Sequence, residues 1–467
     1  MEFNKDLDIG IFKAYDIRGI YPSQLNEQTA SLIAQTYLKI VSEKLGKEIK
    51  DLSIGICRDN RHSSDPLMNE VVKVFLKYGV TVNNLGMISI NDYYFAVGKY
   101  KYDGGIMATA SHNPPEYGGF KMTIKNTEYK DSIEFISGKE LFQVLQDLDF
   151  PIKVEEVKGK ENVKNVFEDH LKHILSFVDL KKIKPLKVVV DTGGGMTGIM
   201  TPQIFEKLPC ELTHLFAELD SDFKGRAPNP LTKGSYDALA KKVLELKADL
   251  GVIFDVDGDR MFLVNEKGEF VKGDMVLLVI AKSILAKNPG AGVVYNLICS
   301  HAVKDLVKEW GGRSIRSEVG YLNMARHMRE ENGIMSGEVS AHFAFAKNYY
   351  ADSGFIAMVL ALQAISSDGR PLSEIIEDFH LYEKSEELNF VVNDVNLELD
   401  KFRNTYKENI LDEIDGITVE YEDWWFNVRP SNTEPLLRLT VEANSKEILE
   451  EKIKELESLI DFKERKQ

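Results

Sequence analysis

Apolar runs that end in a polar residue and a small loop recur along the chain. Examples are residues 53–59, 187–195 and 248–255, where β-branched and other apolar residues precede an aspartate. Short runs of this kind are typical of buried parallel strands. Between them, residues 28–45 and 66–78 carry apolar residues at helical spacing. The alternation predicts an α/β architecture, in which ligands bind at the carboxyl ends of the strands.

The last hundred residues follow a different pattern. Residues 389–399 and 416–425 predict strands, and 445–464 predict a charged amphipathic helix, which together indicate a smaller α+β domain. Residues 265–274 predict a hairpin that leads into the next helix, and the Lys-, Glu- and Gly-rich segment 153–164 predicts a linker. At about 150 residues per domain, 467 residues accommodate three or four domains.

Composition and charge exclude several functions. Acidic residues number 74 against 58 basic ones, and the net charge of −16 argues against binding to nucleic acid or to an anionic membrane surface. No apolar stretch approaches the ~20 residues of a transmembrane helix, and the first residues lack a signal-peptide pattern. The 3 cysteines are far apart, so neither a disulfide framework nor a zinc ribbon is expected. We therefore expect a cytoplasmic protein.

The loop at residues 109–121 carries the first candidate chemistry. Two prolines and two glycines predict an exposed, non-helical loop that presents Ser111. Such a serine can be a nucleophile or a phosphate carrier, and His112 and Lys121 could neutralise its phosphate. The alternative is a serine-capped turn. The loop has no Gly-x-Ser-x-Gly elbow, so the sequence does not support a hydrolase triad.

A second loop carries three carboxylates at i, i+2 and i+4. Asp255, Asp257 and Asp259 follow a predicted buried strand and form a hard oxygen site suited to Mg²⁺. An EF-hand is disfavoured because Arg260 stands where that loop requires glycine. A solvated acidic turn is the other alternative.

A third loop, 336–342, combines an acceptor, a hydroxyl and an imidazole in Glu338, Ser340 and His342. The glutamate and serine could hydrogen-bond adjacent sugar hydroxyls. The alternative is an ordinary surface loop.

A fourth loop, 429–435, combines an arginine with two hydroxyls and an amide. Such groups and the N–H groups of a turn can bind a phosphate. A plain proline-bounded turn is the alternative. The polar residues of the loop are Arg429, Ser431, Asn432 and Thr433.

These four loops, in this order, resemble those of the α-D-phosphohexomutase family, in its phosphomannomutase/phosphoglucomutase branch. Residues 12–19, 58–64 and 227–231 also resemble motifs of that family, so the likeness extends from about residue 10 to about residue 443. It implies three similar α/β domains with mixed sheets and a smaller C-terminal α+β domain around a central cleft. The implied domains are 1–152 with the phosphoserine loop, 153–256 with the metal loop at its end, 257–372 with the sugar-binding loop, and 373–467 with the phosphate-binding loop.

The resemblance also implies the reaction and the site. Phosphorylated Ser111 would give its phosphate to a hexose 6-phosphate or 1-phosphate of mannose or glucose, through a 1,6-bisphosphate that also serves as activator. One Mg²⁺ per site would bind Asp255, Asp257, Asp259 and an oxygen of phosphorylated Ser111. The implied catalytic residues are Ser111, Lys121, Arg260 and His342. The implied substrate-binding residues are Arg18, His112, Glu338, Ser340, Arg429, Ser431, Asn432 and Thr433.

The chain departs from the family pattern at several positions. Tyr321 stands where a histidine is usual, Ala341 where a glycine is usual, and Ile298 where some members have lysine. Residues 90–91 read Ile-Asn in place of Thr-Pro. Because of Tyr321 and Ala341, a non-catalytic sugar-phosphate-binding protein stays open as a rival function. A second rival is an Mg²⁺-dependent sugar phosphatase, because residues 252–258 resemble the aspartate-nucleophile loop of haloacid-dehalogenase-type phosphatases.

Overall fold

The computed structural model describes residues 7–153, 157–431 and 436–466. The chain divides into two compact units, each built from two segments. The first unit comprises Met1–Lys272 and Ala341–Ser373, and the second comprises Gly273–Ser340 and Glu374–Gln467. Within the described ranges, no helix combines the length and the apolar character needed to span a bilayer.

Strands and helices alternate through most of the chain. Up to residue 272 the strands are β1 (Ile17–Ile20), β2 (Ser53–Arg58), β3 (Thr81–Met87), β4 (Gly104–Ala108), β5 (Tyr117–Lys125), β6 (Ile133–Ile136), β7 (Lys160–Val163), β8 (Lys187–Asp191), β9 (Glu211–Leu215), β10 (Leu250–Phe254), β11 (Met261–Asn265) and β12 (Phe270–Val271). The helices are α1 (Glu27–Leu45), α2 (Ser64–Lys77), α3 (Ile90–Lys99), α4 (Gly138–Gln146), α5 (Phe167–Leu175), α6 (Thr197–Phe205) and α7 (Asp237–Leu246).

From residue 273 the same alternation continues and then gives way to strands. The strands are β13 (Gly292–Asn296), β14 (Arg313–Ser317), β15 (Gly333–Gly337), β16 (Phe343–Phe345), β17 (Ala351–Asp352), β18 (Glu383–Lys384), β19 (Leu388–Val392), β20 (Ile410–Asp412), β21 (Ile417–Glu420), β22 (Trp424–Pro430), β23 (Leu436–Ala443) and β24 (Phe462–Lys466). The helices are α8 (Gly273–Leu285), α9 (His301–Glu309), α10 (Tyr321–Glu330), α11 (Gly354–Asp368), α12 (Leu372–Glu377), α13 (Val395–Thr405) and α14 (Lys446–Glu457).

The first unit holds two mixed sheets. One has the order β1-β5-β4-β2-β3-β7, with β6 beside β5, and its pairs β4–β2, β2–β3 and β3–β7 are parallel. The other has the order β12-β11-β10-β8-β9, in which β10 lies parallel to β8 and antiparallel to β11. The hairpin β16–β17 and helix α11 complete this unit, with α11 against α5 and β11. The loops after β4 and β10 carry Ser111 and the three aspartates.

The second unit combines parallel and antiparallel strands. Strand β13 lies between β14 and β15, parallel to both, and helices α8, α9 and α10 contact these strands or one another. The C-terminal sheet is antiparallel, with the order β20-β21-β22-β23-β19-β24 and β18 beside β23. It has a hydrophobic core of its own, built around residues such as Phe390, Phe402 and Phe426. The predicted α/β class with a smaller α+β terminal domain is confirmed, while the domain boundaries stay a prediction.

Several predicted elements agree with the structure because their local pattern is strong. Helix α1 coincides with the predicted 28–45; the Asn26 side chain caps it by accepting from the Thr29 N–H, and Gly46, at φ +61°, ends it. The predicted hairpin at 265–274 is the turn between β11 and β12, followed by α8. Strand β10 is buried at every position, as a central strand should be.

Four predicted elements were wrong in extent or type. The prediction of a strand at 389–399 was wrong in its second half, because β19 ends at Val392 and α13 follows. The segment 416–425 contains β21 and the start of β22, joined by a turn, and the helix predicted to reach residue 464 ends at Glu457, before β24. The predicted linker 153–164 includes β7, and its residues 154–156 lie outside the described ranges.

Candidate active site

Ser111 lies in the loop between β4 and β5 and has an unusual backbone conformation. Its φ is +50°, in the left-handed region that residues with a side chain rarely adopt, and it is 2% exposed. The buried guanidinium of Arg61 donates hydrogen bonds to the main-chain carbonyls of Ser111 (2.5 Å), Asn113 (2.6 Å) and Pro114 (2.7 Å). The buried Arg61 side chain therefore fixes the backbone of the loop. The sequence predicted an exposed loop, but Ser111 is buried.

The three aspartates predicted to bind a metal converge at the carboxyl end of β10. Asp255, Asp257 and Asp259 are buried, and one carboxylate oxygen from each lies within 4.8 Å of the others. The buried atoms Asp255 Oδ2 and Asp259 Oδ1 accept no hydrogen bond from the residues the structure describes. Three buried carboxylates whose oxygens converge in this way fit a small divalent cation with oxygen ligands, of which Mg²⁺ is the natural choice.

The protonation of these carboxyls reflects their crowding. Burial and the charges of Asp257 and Asp259 raise the pKa of Asp255 well above its usual range. Burial also disfavours the charged form of Asp259, but Lys121 and His342 outweigh it and hold the pKa of Asp259 well below its usual range. The cluster therefore carries negative charge that a divalent cation would neutralise.

Ser111 and Lys121 meet this cluster directly. The Ser111 hydroxyl donates to Asp257 Oδ1 at 3.1 Å. The Lys121 ammonium, on β5, donates to Asp257 Oδ2 at 2.9 Å and to Asp259 Oδ2 at 2.5 Å. The structure thus brings together the predicted phosphate carrier, its predicted cation and the predicted metal ligands. Asp257, for example, is 136 positions from Lys121 and 146 positions from Ser111 in the sequence.

Two imidazoles and an arginine border the same cluster. His112 Nδ1 lies 3.1 Å from Ser111 Oγ. Burial lowers the pKa of His112 well below its usual range, and the charges of Arg260 and Arg18 lower it further, so the imidazole is neutral near pH 7. His342 Nε2 lies 3.4 Å from Asp259 Oδ1 and 3.4 Å from Arg260 Nε.

Arg18, on β1, is the remaining predicted residue of the first unit. Its Nε and NH2 groups donate to the Asp16 carboxylate at 2.8–3.0 Å, and NH1 donates to Asn113 Oδ1 at 2.6 Å. The contact with Asn113 attaches the guanidinium to the Ser111 loop. Arg18 therefore contacts the loop that carries Ser111, and its role toward phosphate stays a prediction.

In the second unit, Glu338 and Ser340 follow β15. Glu338 is 3% exposed, and its Oε1 accepts from the Gly320 N–H at 2.8 Å and from Asn296 Nδ2 at 3.2 Å. Ser340 Oγ donates to Glu338 Oε2 at 3.3 Å. The two predicted sugar-binding residues therefore lie together, with Asn296 orienting the carboxylate.

Arg429 lies on β22, in the C-terminal sheet of the second unit. It is 3% exposed, and its NH2 donates to Glu387 Oε1 at 2.7 Å. Arg438 lies directly opposite on β23 and donates to the other oxygen of Glu387 at 2.9 Å. Of the other predicted phosphate-binding residues, Ser431 follows β22, while Asn432 and Thr433 lie outside the described residues.

Sequence reasoning gave no role to Arg61, Asn296 or Arg438. Arg61 and Asn296 fall in segments that had been compared with the family, but nothing near them in sequence shows that their partners are a distant loop and a distant carboxylate. Arg438 could have been found by pairing the two strands that flank the 429–435 loop. Register places facing residues of a hairpin side by side.

The departures from the family pattern occupy defined places. Ala341, where glycine is usual, has φ +62°, so a residue with a Cβ adopts the conformation that favours glycine. Tyr321 begins α10, and Gly320 before it has φ +114° and donates to Glu338. Ile298 is 7% exposed.

The fold and the first unit's site define a class of enzyme. A serine beside three buried carboxylates and a lysine is suited to phosphoryl transfer, in which positioning and charge neutralisation do most of the work. Models of the phosphoglucomutase/phosphomannomutase family match nearly the whole chain: alpha/beta/alpha domain I at residues 10–137, domain II at 165–268, domain III at 272–382 and the C-terminal domain at 387–458. The chain belongs to the phosphoglucomutase/phosphomannomutase family.

Individual relatives agree with this assignment. A phosphomannomutase of Methanocaldococcus jannaschii is 36% identical over 456 residues, which cover 97% of this chain and 98% of that protein. A protein named phosphohexose mutases, from Xanthomonas campestris pv. campestris, is 34% identical over 455 residues, with 96% and 98% covered. The crystal structure of a phosphoglucomutase/phosphomannomutase family protein from Burkholderia thailandensis superposes with a TM-score of 0.85 at 28% identity, covering 97% of each chain.

Proposed function

We propose that this protein is a phosphohexomutase, an intramolecular phosphotransferase that interconverts hexose 6-phosphate and hexose 1-phosphate of mannose, glucose or both. The observation that carries the proposal is the contact of the Ser111 hydroxyl with Asp257, inside the buried carboxylate cluster that also holds Lys121. Family membership and the names of the relatives support the same reaction. The phosphoserine and the 1,6-bisphosphate intermediate follow from the serine being the phosphate carrier.

The phosphoryl group moves between Ser111 Oγ and the oxygens of the hexose in two transfer steps. A free hydroxyl of the hexose phosphate attacks the phosphorus of phospho-Ser111, the bond from phosphorus to Ser111 Oγ breaks, and a hexose 1,6-bisphosphate forms. After the bisphosphate turns over, Ser111 Oγ attacks its other phosphate and releases the isomeric monophosphate. In each step the attacking hydroxyl loses one proton and the departing oxygen gains one. The imidazole of His342, which lies 3.4 Å from Asp259, is the candidate to carry this proton. The Lys121 ammonium, which is bonded to Asp257 and Asp259, would instead offset charge on the transferring group.

The chain's own cations and carboxylates prepare this site. Asp255, Asp257 and Asp259 would hold one Mg²⁺, together with an oxygen of phosphorylated Ser111, and the bound ion would neutralise charge on the transferring group. Lys121 offsets the negative charge of two of the aspartates, and Arg260 lies 3.7 Å from Asp255. The neutral His112 is placed to hydrogen-bond the Ser111 oxygen or its phosphate.

The remaining residues would bind the substrate. Glu338 and Ser340 would accept and donate hydrogen bonds to ring hydroxyls, as the buried carboxylate held by Asn296 favours. Arg429 would hold the phosphate that is not transferred, with Ser431, Asn432 and Thr433 from the same loop, and Arg18 would face phosphate near Ser111. The partners are then small hexose phosphates, with a hexose 1,6-bisphosphate as activator, and we infer a cytoplasmic location.

A mutase assay with mannose 1-phosphate and glucose 1-phosphate side by side tests the proposal. We expect formation of the 6-phosphates when bisphosphate and Mg²⁺ are present, and mass spectrometry should find phosphate on Ser111. Release of inorganic phosphate without isomerisation would show a phosphatase. Binding of both sugar phosphates without turnover or phosphoserine would show a non-catalytic binding protein.

A further inference from the structure

The first turn of helix α3 contacts the backbone of the aspartate loop. The N–H of Ile90 donates to the carbonyl of Asp257 at 3.4 Å. The side-chain amide of Asn91 donates from Nδ2 to the carbonyl of Gly258 at 2.7 Å, and Asn91 is completely buried. One helical turn therefore binds two consecutive carbonyls of the loop that carries the predicted metal ligands. This turn lies between β3 and β4 of the first sheet, whereas the loop follows β10 of the second sheet.

Gly258 is the residue on which the shape of this loop depends. Its φ is +90°, and a Cβ there would lie 2.2 Å from Thr197 Cγ2 and 2.9 Å from Asn91 Nδ2. Its N–H donates to Asp255 Oδ1 at 3.0 Å. The amide of Gly258 thus orients one aspartate, while Asn91 fixes the carbonyl of the same residue.

The helical turn that presents Asn91 is itself firmly held. Ser89 and Asp92 form a reciprocal capping box at the start of α3. Asp92 Oδ1 lies 2.6 Å from Nδ1 of the fully buried His170 on α5, whose ring stacks on Phe95 at 4.8 Å. Because these contacts anchor the start of α3, the Asn91 amide is presented in a fixed position.

We propose that Asn91 is a positioning residue for the metal site, which holds Gly258 so that the carboxylates of Asp255, Asp257 and Asp259 converge. This inference rests on the proposed Mg²⁺ site. The family resemblance does not predict it, because the usual proline at this position has no side-chain donor. Mutation of groups that orient metal ligands typically lowers metal affinity by about 10- to 100-fold.

Isothermal titration calorimetry of Mg²⁺ into the unphosphorylated full-length protein tests the inference without using activity. We expect Asn91→Ala to raise the Kd for Mg²⁺ about tenfold or more, because the loop is no longer fixed. The matched control is Asn83→Ala, which removes another buried amide of the same sheet region, one that donates to Ser53 Oγ at 2.9 Å and touches none of the aspartates' loop. This control should leave the Kd unchanged.

Asp257→Asn separates the failure of this inference from the failure of the proposed function. If wild type binds Mg²⁺, Asp257→Asn does not and Asn91→Ala binds as wild type does, Asn91 has no positioning role. Equal weakening in Asn91→Ala and Asn83→Ala would overturn the inference as well, because it would reflect general destabilisation. If wild type binds no Mg²⁺, or Asp257→Asn binds it as wild type does, the proposed metal site is wrong and the inference falls with it.

Should Asn91→Ala fail to fold, Asn91→Leu takes its place under the same criteria. Leucine fills the space of the asparagine without a hydrogen-bond donor.

Discussion

At the scale of single residues, the site depends on a serine held in an unfavourable backbone conformation. A residue with a side chain in the left-handed region persists only when its surroundings impose that conformation. Here the imposing group is Arg61, which is fully buried and donates to three carbonyls of the Ser111 loop. With the backbone held in this conformation, the Ser111 hydroxyl lies 3.1 Å from Asp257 Oδ1.

Ser111→Ala tests the serine itself. We expect loss of turnover, because no other hydroxyl occupies this position, and a change in the free energy of unfolding within about 1 kcal/mol, because one short side chain changes little. Activity is measured with hexose 1,6-bisphosphate present, and stability by thermal unfolding. Near-normal activity in this variant would contradict the relay through Ser111.

Arg61→Lys tests the support of the loop. A lysine keeps the charge but lacks the rigid fork that serves three carbonyls, so we expect the free energy of unfolding to fall by about 2–3 kcal/mol. Phosphorylation of Ser111 by bisphosphate should also slow, as phosphate incorporation would show. Arg58→Lys is the control, since Arg58 is partly exposed and pairs with the exposed Asp65. Equal effects of the two changes would refute a specific role for Arg61.

At the scale of elements, helix α9 is attached to the C-terminal sheet through its first residue. The His301 ring stacks on Trp425 with centroids 4.5 Å apart, and its main-chain N–H donates to Glu442 at 2.8 Å. Burial, together with the smaller effects of the charges of Lys304, Arg316 and Lys384, lowers the pKa of His301 to about 3. The stack therefore requires the neutral imidazole.

This requirement predicts a pH dependence of stability. An unfolded histidine has a pKa of about 6.5, so between pH ~6.5 and ~3 the unfolded chain binds a proton that the folded chain does not. The contribution of neutral His301 to the free energy of unfolding is fully present above pH ~6.5. It decreases as the pH falls, by about 2 kcal/mol from pH 7 to pH 5. Denaturant unfolding of wild type and His301→Phe at both pH values measures it, because phenylalanine keeps the ring and does not titrate. If the difference in stability between the two proteins were the same at both pH values, the prediction would be wrong.

At the scale of the whole molecule, the two units carry different parts of the proposed chemistry. Ser111, Lys121 and the three aspartates lie in the first unit, and Glu338, Ser340 and Arg429 lie in the second. Phosphoryl transfer and recognition of the sugar can therefore be perturbed separately by mutation.

Removal of the metal tests the proposed role of the first unit in phosphoryl transfer. Chelation should stop isomerisation, and Mg²⁺ should restore it better than Ca²⁺, because three closely spaced carboxylates suit a small octahedral ion that keeps room for a phosphate oxygen. Binding of hexose phosphate, followed by calorimetry, should persist in chelator if the second unit's residues supply most of the contacts. Full mutase activity in excess chelator would contradict the assignment.

Much of the fold could be predicted because its signal is local. Helix α1 and strands β2, β8 and β10 have short-range patterns of burial that the sequence shows directly. The edge strands β7 and β24 were missed because every residue in them is exposed, so no alternation of apolar and polar positions marks them. Their pairing with β3 and β19 depends on partners far along the chain.

The sequence by itself determined the serine loop and the aspartate cluster, because both are spacings within a few residues after a strand. Only the tertiary structure decided which side chains support them. Arg61 and Ser111 are 50 positions apart, and Asn91 and Gly258 are 167 apart. Hydrogen bonds between such distant positions leave no periodicity in either segment. The support of the site therefore becomes visible only when the sheets bring these segments together.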